Sequence, residues 1–424
     1  IRDSSAAIAH GTVNDVAAKY LEGGELDSLG LVRPVIACAT NAGVSVIHPN
    51  GTVADIAGTG QTHDDIQDVF FTDDGMVGYS FEASGSVTHP WGVGLRKLPF
   101  SDETIGGYNN ATNLERYNPI VNGNVSGLTT QATEYNSSNS ALNAVTPTGK
   151  NGLAIGYGDR LSIVKRNPAN MEEGMVSYHT SDYCTGYLLG DIRLAVAAIK
   201  NASVTAYDET GNFGDRSVKG NTLTNSGTIT CTPVATGAEA YGLSGFSASN
   251  YLSRANDTDF DFGTGDFSVM LWVKDSNTNA VKDYVSRVGV SSSDATKAAG
   301  NWGLLKTDKT IQLWRYSGSA WSLQVASETD AFPTSQWTQV VLSKKDSKYQ
   351  IYLNGVASGT QTTNSNSFTT TAGLFTIGMR VDANTQAADT ASLSLVRISA
   401  TAPTPQQVKE MYEAEKPLFR SGAK

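Results

Sequence analysis

The chain has 424 residues and a mass of 44.8 kDa, with 31 Lys+Arg against 41 Asp+Glu, a net charge of -10 and 17% charged residues. That length fits roughly two or three domains with real cores, the acidic balance excludes a surface built for nucleic acid, and no run approaches the roughly 18 apolar residues of a membrane-spanning helix. The 42 glycines and abundant Ser, Thr and Asn favour turns and short strands, which excludes an α protein or a coiled coil and predicts an all-β fold.

Residues 1–32 read as an N-terminal helix and linker. Asn14 is placed to cap a turn through Val16, Ala17, Ala18, Tyr20 and Leu21, and Gly23-Gly24 ends it. The chain starts at Ile1, with no basic stretch leading into an apolar core, so no signal peptide is read and a piece of a longer chain is expected.

Residues 33–210 read as propeller-like β repeats. IACATNAGVSVIHPNG from Ile36, LAIGYGDRLSIVKRNP from Leu153 and LAVAAIKNASVTAYDE from Leu194 align without gaps. Each gives a strand, a tight connection and a second strand carrying Ser45, Ser162 or Ser203. A weaker copy, MVGYSFEASGSVT, begins at Met76, 40 residues after Ile36, and Leu194 follows Leu153 by 41. A period near 40 in strand-rich text predicts propeller blades. The Asn/Ser/Thr-rich stretch 101–150 is expected as a loop or a decorated blade, and its Asn110 and Asn136 sequons are read as chance matches. Residues 211–235 form a Gly/Asn/Thr-rich connector. Cys38, Cys184 and Cys231 have neither disulfide-framework nor Cys-x-x-Cys spacing and read as small buried thiols.

Residues 236–424 read as a β-sandwich. Phe267, Val269, Leu271 and Val273 alternate with Ser268, Met270, Trp272 and Lys274 in a central strand. Ile311–Tyr316 and Trp321–Val325 flank Ser317-Gly318-Ser319 as a hairpin. Trp337–Ser343, Tyr349–Leu353 before Asn354-Gly355, Leu374–Gly378 and Ala391–Ser399 complete an antiparallel sandwich or jelly roll. A closing helix carries a capping box, with Thr404 as cap, Pro405 first and Gln407 third.

FDFGTGDFSVMLWVK (Phe260–Lys274), WTQVVLSKKDSKYQIYLNG (Trp337–Gly355), LFTIG and SLSLVRIS with the terminal helix are similar in order and spacing to laminin-G-like, concanavalin A-like jelly rolls. CTPVATGAEAYGLSGFSASNYL before the sandwich and APTPQQVKEMYEAEKPLF after it resemble a set of bacteriophage tail proteins. The likeness covers residues 230–420 well and 30–100 more loosely. It implies a structural and adhesive virion protein of a phage tail, a tail fibre or receptor-binding protein. Implied with it are an extracellular location, homo-oligomers that are commonly trimers, other tail proteins as partners and a host surface glycan as target. A bacterial extracellular glycan-binding module and a polysaccharide depolymerase are the alternatives.

No catalytic constellation is legible. Concanavalin-like hydrolases carry Glu-x-Asp-x-x-Glu on one strand, because one carboxylate attacks while another donates a proton; no such triplet occurs. His10, His48, His63, His89 and His179 are scattered, with none beside a serine elbow. Asp257, Asp259 and Asp261 cluster in a turn, as candidates for Ca²⁺ or for ordinary turn bonds, and no other cofactor is implied. Aromatics are the strongest binding signal. Trp302, Trp314, Tyr316 and Trp321 lie on or near one hairpin with Arg315. Aromatic faces stack on sugar C–H faces and an arginine adds hydrogen bonds, so these five are the glycan-binding candidates.

Overall fold

The computed structural model describes residues 7–58, 66–73, 75–81, 92–96, 98–99, 101–105, 115–116, 142–148, 152–157, 161–165, 174–179, 184–196, 212–213, 215–217, 219–221, 223–278, 280–289, 297–381 and 386–423. It forms two compact units, Ile1–Val176 and Ser177–Lys424. Asn110, Asn136 and Ser203 lie outside the described residues.

In the first unit, Val13–Lys19, Val35–Thr40, Gly43–Ile47 and Val53–Gly58 make an antiparallel meander, and Glu103–Ile105 joins its edge in parallel. A second sheet runs Ile66–Phe71, Val77–Phe81, Gly92–Arg96 and Glu115–Arg116. The alternating small apolar residues of the repeats supply the core: Ala37, Ala39, Val44, Val46, Ile56, Val69, Val77 and Tyr79 are all buried together. Two of the three gap-free repeats fold as hairpins, with Ala37 opposite Val46 and Ala154 opposite Ile163. The weaker copy contributes Val77–Phe81, which pairs with Gly92–Arg96. Among the described residues these meanders form no closed propeller.

Two expectations are corrected. Val13–Lys19 is a strand, not a helix. Asn14 does not cap; its amide donates to Asn41 Oδ1 at 2.9 Å and the Ile66 carbonyl at 2.8 Å. Pairing with Val35–Thr40 and half-burial of alternate residues Asp15, Ala17 and Lys19 override the weak helical spacing. The copy at Leu194 also belongs elsewhere: Ile192–Val196 pairs with Ala391–Ser399, and Leu194 and Val196 enter the sandwich core. Ile192–Val196 thus lies within the compact unit Ser177–Lys424.

The second unit is a jelly-roll sandwich of two eight-stranded sheets. The first runs Thr230–Pro233, Tyr241–Ser244, Ala391–Ser399, Phe267–Asp275, Thr338–Lys345, Lys348–Leu353 and Val356–Thr363, with Ile192–Val196 also on Ala391–Ser399. The second runs Asn212–Phe213, Leu223–Ser226, Tyr251–Arg254, Leu374–Ile377, Lys282–Val288, Trp302–Thr307, Thr310–Tyr316 and Trp321–Ala326. Period-two patterning sends Val269, Leu271, Val340, Leu342 and Ile351 of one sheet against Val285, Leu304, Leu313 and Ile377 of the other. Each such side chain contributes about 1.5–3 kcal/mol on burial. Phe260 stacks on Phe375 at 4.4 Å and Phe262 on Phe267 at 4.7 Å.

The helix Pro405–Glu415 starts on its capping box as read and covers the outer face of the first sheet. Trp272 stacks on Phe419 at 4.1 Å and donates its indole N–H to Glu415 Oε2 at 2.7 Å. Glu415 also pairs with fully buried Arg397. Among the described residues no helix is long and apolar enough to cross a membrane.

Candidate functional site: the edge hairpin of the second sheet

Thr310–Tyr316 and Trp321–Ala326 form the last hairpin of the second sheet. Gly318, at φ +105°, makes the turn, and the Ser317 N–H donates to the Ala320 carbonyl at 2.9 Å. A bulge between Leu313 and Trp314 leaves Gln324 unpaired. The Gln324 amide folds inward, donating to the Ser322 carbonyl and accepting from Asn364 and Asn366. The bulge resets the alternation. Leu313 still faces the core opposite Val325, while Trp314 lies opposite Leu323, which is 47% exposed.

On the other side of Trp314 stands Gly303. Gly303 is buried, and a Cβ there would lie 2.7 Å from Asp283 Oδ1, so the Asp283 carboxylate occupies the space beside the indole. The Trp314 N–H donates to Gln312 Oε1 at 2.8 Å, and the same oxygen accepts from Thr307 at 3.1 Å. These bonds hold the ring in one orientation. Tyr316 and Trp321 lie directly opposite each other, rings 5.5 Å apart and tilted 53°. Lys297 Nζ lies 5.9 Å and 6.0 Å from these two rings, and the Arg380 guanidinium lies 5.4 Å from Trp321. The Trp321 indole nitrogen is buried and has no hydrogen-bond partner.

Three of the five aromatic-site candidates, Trp314, Tyr316 and Trp321, thus share the outer face of one hairpin. The other two do not. Trp302 is fully buried in the sandwich core, 6.4 Å from Phe267, and cannot reach a ligand at the surface. Arg315 lies opposite Trp302 and points the same way. Its Nε donates to the Ser367 carbonyl at 2.7 Å, its guanidinium sits 6.0 Å over Phe368, and burial holds its pKa below the usual range. Lys297 and Arg380 carry no signal in the sequence, because only the fold brings residues so distant to Trp321.

The acidic turn makes local turn bonds and ion pairs. Asp257 caps a short 3-10 turn, and the Asp259 N–H, then Arg254, hold its carboxyl below the usual range. Asp259 pairs with Arg193 at 3.0 Å and accepts from Asn221. Asp261 pairs with Arg287 at 2.6 Å and accepts from the Thr370 N–H. Three carboxylates go to three different arginines instead of converging on a cation. Among the described residues no group of three His, Cys, Asp or Glu side chains is placed to hold a metal ion.

One grouping escaped the sequence. Ser177 Oγ is 3.0 Å from His179 Nε2, and Cys184 Sγ is 4.0 Å from the same nitrogen. Burial pushes the Cys184 thiol up to about 11 and pushes His179 down. The thiol therefore stays protonated beside a neutral imidazole, the reverse of an activated nucleophile.

Residues 246–409 match the model of the concanavalin A-like lectin/glucanases superfamily. Comparison with curated proteins gives no match. Three solved structures that resemble the chain are distant. The receptor binding domain of botulinum neurotoxin C/D mosaic serotype is 13% identical, with 53% of this chain and 51% of that one covered and a TM-score of 0.37. The ligand binding domain of botulinum neurotoxin serotype D, in complex with N-acetylneuraminic acid, is 10% identical over 52% and 50%, TM-score 0.37. Domain 4 of an extracellular arabinanase from Geobacillus stearothermophilus, in complex with arabinotriose, is 20% identical over 52% and 99%, TM-score 0.37. The aligned part of this chain spans about half the length of the neurotoxin domains.

Proposed function

We propose that the sandwich is a non-enzymatic glycan-binding module that takes sugar on the outer face of its edge hairpin. The observation that carries this reading is the pair of half-buried indoles, Trp314 and Trp321, on one face of the edge hairpin. A flat sugar ring needs an aromatic face held rigid before it arrives, because ordering the side chain on binding costs affinity. Trp314 is pre-set by Gln312, and Trp321 presents its ring beside Tyr316 on the same face. The match to a superfamily of lectins and glucanases supports the same reading.

We place this module in a phage tail fibre or receptor-binding protein, exposed on the virion, where it adheres to host surface glycan as a homo-oligomer, commonly a trimer, among other tail proteins. This placement rests on the resemblance of Cys231–Leu252 and Ala402–Phe419 to tail proteins. A glycan array with the full chain and Trp314→Ala tests the module. The variant should lose roughly tenfold or more in affinity, about 1.4 kcal/mol; unchanged binding removes this face from the site. Incubation with host polysaccharide should release no reducing ends. Immunogold labelling of virions should mark the tail, and unlabelled tails would sink the placement.

A further inference from the structure

We propose that the strand Val13–Lys19 pairs edge to edge with the same strand of a second copy of this chain. The contact closes at two copies and stands apart from the glycan reading and from any threefold contact elsewhere. Val13–Lys19 is the end strand of its sheet and pairs on one side with Val35–Thr40. Among the described residues, no backbone N–H or C=O of Asp15–Lys19 bonds to the backbone of any other strand. A row of open N–H and C=O groups is a template for another strand unless the edge is blocked or covered.

The surroundings of this edge are apolar and open. Seven of the ten large apolar side chains exposed among the described residues fall within residues 13–32. Val16 and Tyr20, on the strand and just past its end, are 55% and 68% exposed. Leu29, at 81%, stands on a turn held by Asp27, whose Oδ1 accepts from the Leu29 N–H at 2.8 Å and the Leu31 N–H at 2.9 Å. Exposed apolar side chains gathered in this way mark a protein contact, and a turn fixed beforehand loses little freedom on docking.

The charges of the strand name the partner. In an antiparallel pair about a twofold axis at Ala17, Asp15 faces the partner's Lys19 and Lys19 faces the partner's Asp15. Val16 then faces the partner's Ala18. Moving the axis by one residue either way loses both ion pairs, so the charges also set the register. Both side chains are held before a second copy arrives. The Val69 N–H donates to Asp15 Oδ2 at 3.0 Å, and Lys19 Nζ donates to the Thr72 carbonyl at 2.6 Å. Two copies that each carry -10 repel in general, which makes opposite charges at the point of contact the more necessary.

The test is sedimentation of the full chain, whose mass should double reversibly as concentration rises. Asp15→Lys sets lysine against lysine across the axis, and Lys19→Asp sets aspartate against aspartate. Each alone should weaken the doubling about tenfold or more. Mixed together, the two variants should restore it, because every facing pair is then opposite in charge. Far-UV circular dichroism checks that each variant keeps its strands. The unaltered chain gives a second reading, in which amide exchange across Val13–Lys19 should slow as concentration rises. Absence of doubling, or doubling that ignores both substitutions, overturns the inference. So does a mixture that associates no better than either variant alone, or exchange across Val13–Lys19 that does not change with concentration.

Discussion

The two outer faces of the sandwich both carry tryptophan, and they treat it in opposite ways. On the first sheet Trp272 is roofed by the terminal helix, stacked on Phe419 and bonded through its N–H to Glu415. On the second sheet Trp314 and Trp321 stand half open, one steered by Gln312 and the other with its N–H unpartnered. What differs is the chain available to cover each face. A capped helix follows the last strand of the first sheet, while the edge hairpin of the second ends in a tight Ser-Gly-Ser turn. A tryptophan roofed by the chain stabilises the fold, and one left with a half-open ring face suits the proposed glycan contact.

The largest effect should come from breaking the roofed face. Glu415→Ala leaves Arg397 buried and uncompensated and removes the acceptor of the Trp272 N–H. It should cost the second unit about 3–5 kcal/mol in denaturant unfolding; a loss under about 1 kcal/mol would erase the contrast between the faces. The open face should behave in the reverse way. Trp314→Ala should cost at most about 1–2 kcal/mol of stability, because much of its surface stays in water, while glycan affinity falls tenfold or more.

A smaller effect sits at the helix start. Thr404→Ala removes the bond to the Gln407 N–H and should cost about 1 kcal/mol with glycan binding unchanged. Linked loss of binding would mean that the roof and the open face are coupled.

The smallest effect is in pH dependence, where the two units differ in sign. In the second unit burial pushes Asp275 up, but bonds from the Asn277 N–H and Thr390 and the Lys306 ammonium outweigh it and leave it low; Asp257 is low as well. Their stabilisation is present above the unfolded value of about 4 and is lost as pH falls through the lower native values. Asp215, raised by burial, offsets part of this. In the first unit burial raises Asp55 and Asp68, with Asp102 and Asp15 adding like-charge repulsion. Their contribution is complete below about pH 4 and is lost as pH rises through the raised native values. On acidification, tryptophan fluorescence should report loss of the second unit, which holds all the tryptophans but Trp91. Amide exchange across Val35–Ile56 should show the first unit holding. Simultaneous loss of both would contradict the assigned signs.

The sandwich was legible wherever one local signal sufficed. Alternation marked Phe267–Asp275, Ser-Gly-Ser marked the edge hairpin, and Thr404-Pro405 with Gln407 marked the helix start. Legibility failed where partners are remote. Val13–Lys19 shows a helix-like spacing that only pairing with Val35–Thr40 overrides, and Ile192–Val196 resembles its repeat siblings while joining another sheet. The site divides along the same line. Trp314, Tyr316 and Trp321 follow from composition and alternation. The inward turn of Trp302 and Arg315, the arginines that claim Asp257, Asp259 and Asp261, and the arrival of Lys297 and Arg380 depend on register and on contacts across many residues.

The central claim, that the open face binds glycan while the roofed face holds the fold, is tested most directly by indole N–H NMR of the full chain titrated with an array-positive glycan. The resonances of Trp314 and Trp321 should shift with saturation while those of Trp272 and Trp302 stay in place. Shifts at Trp272 or Trp302 with none at Trp314 and Trp321 would contradict it.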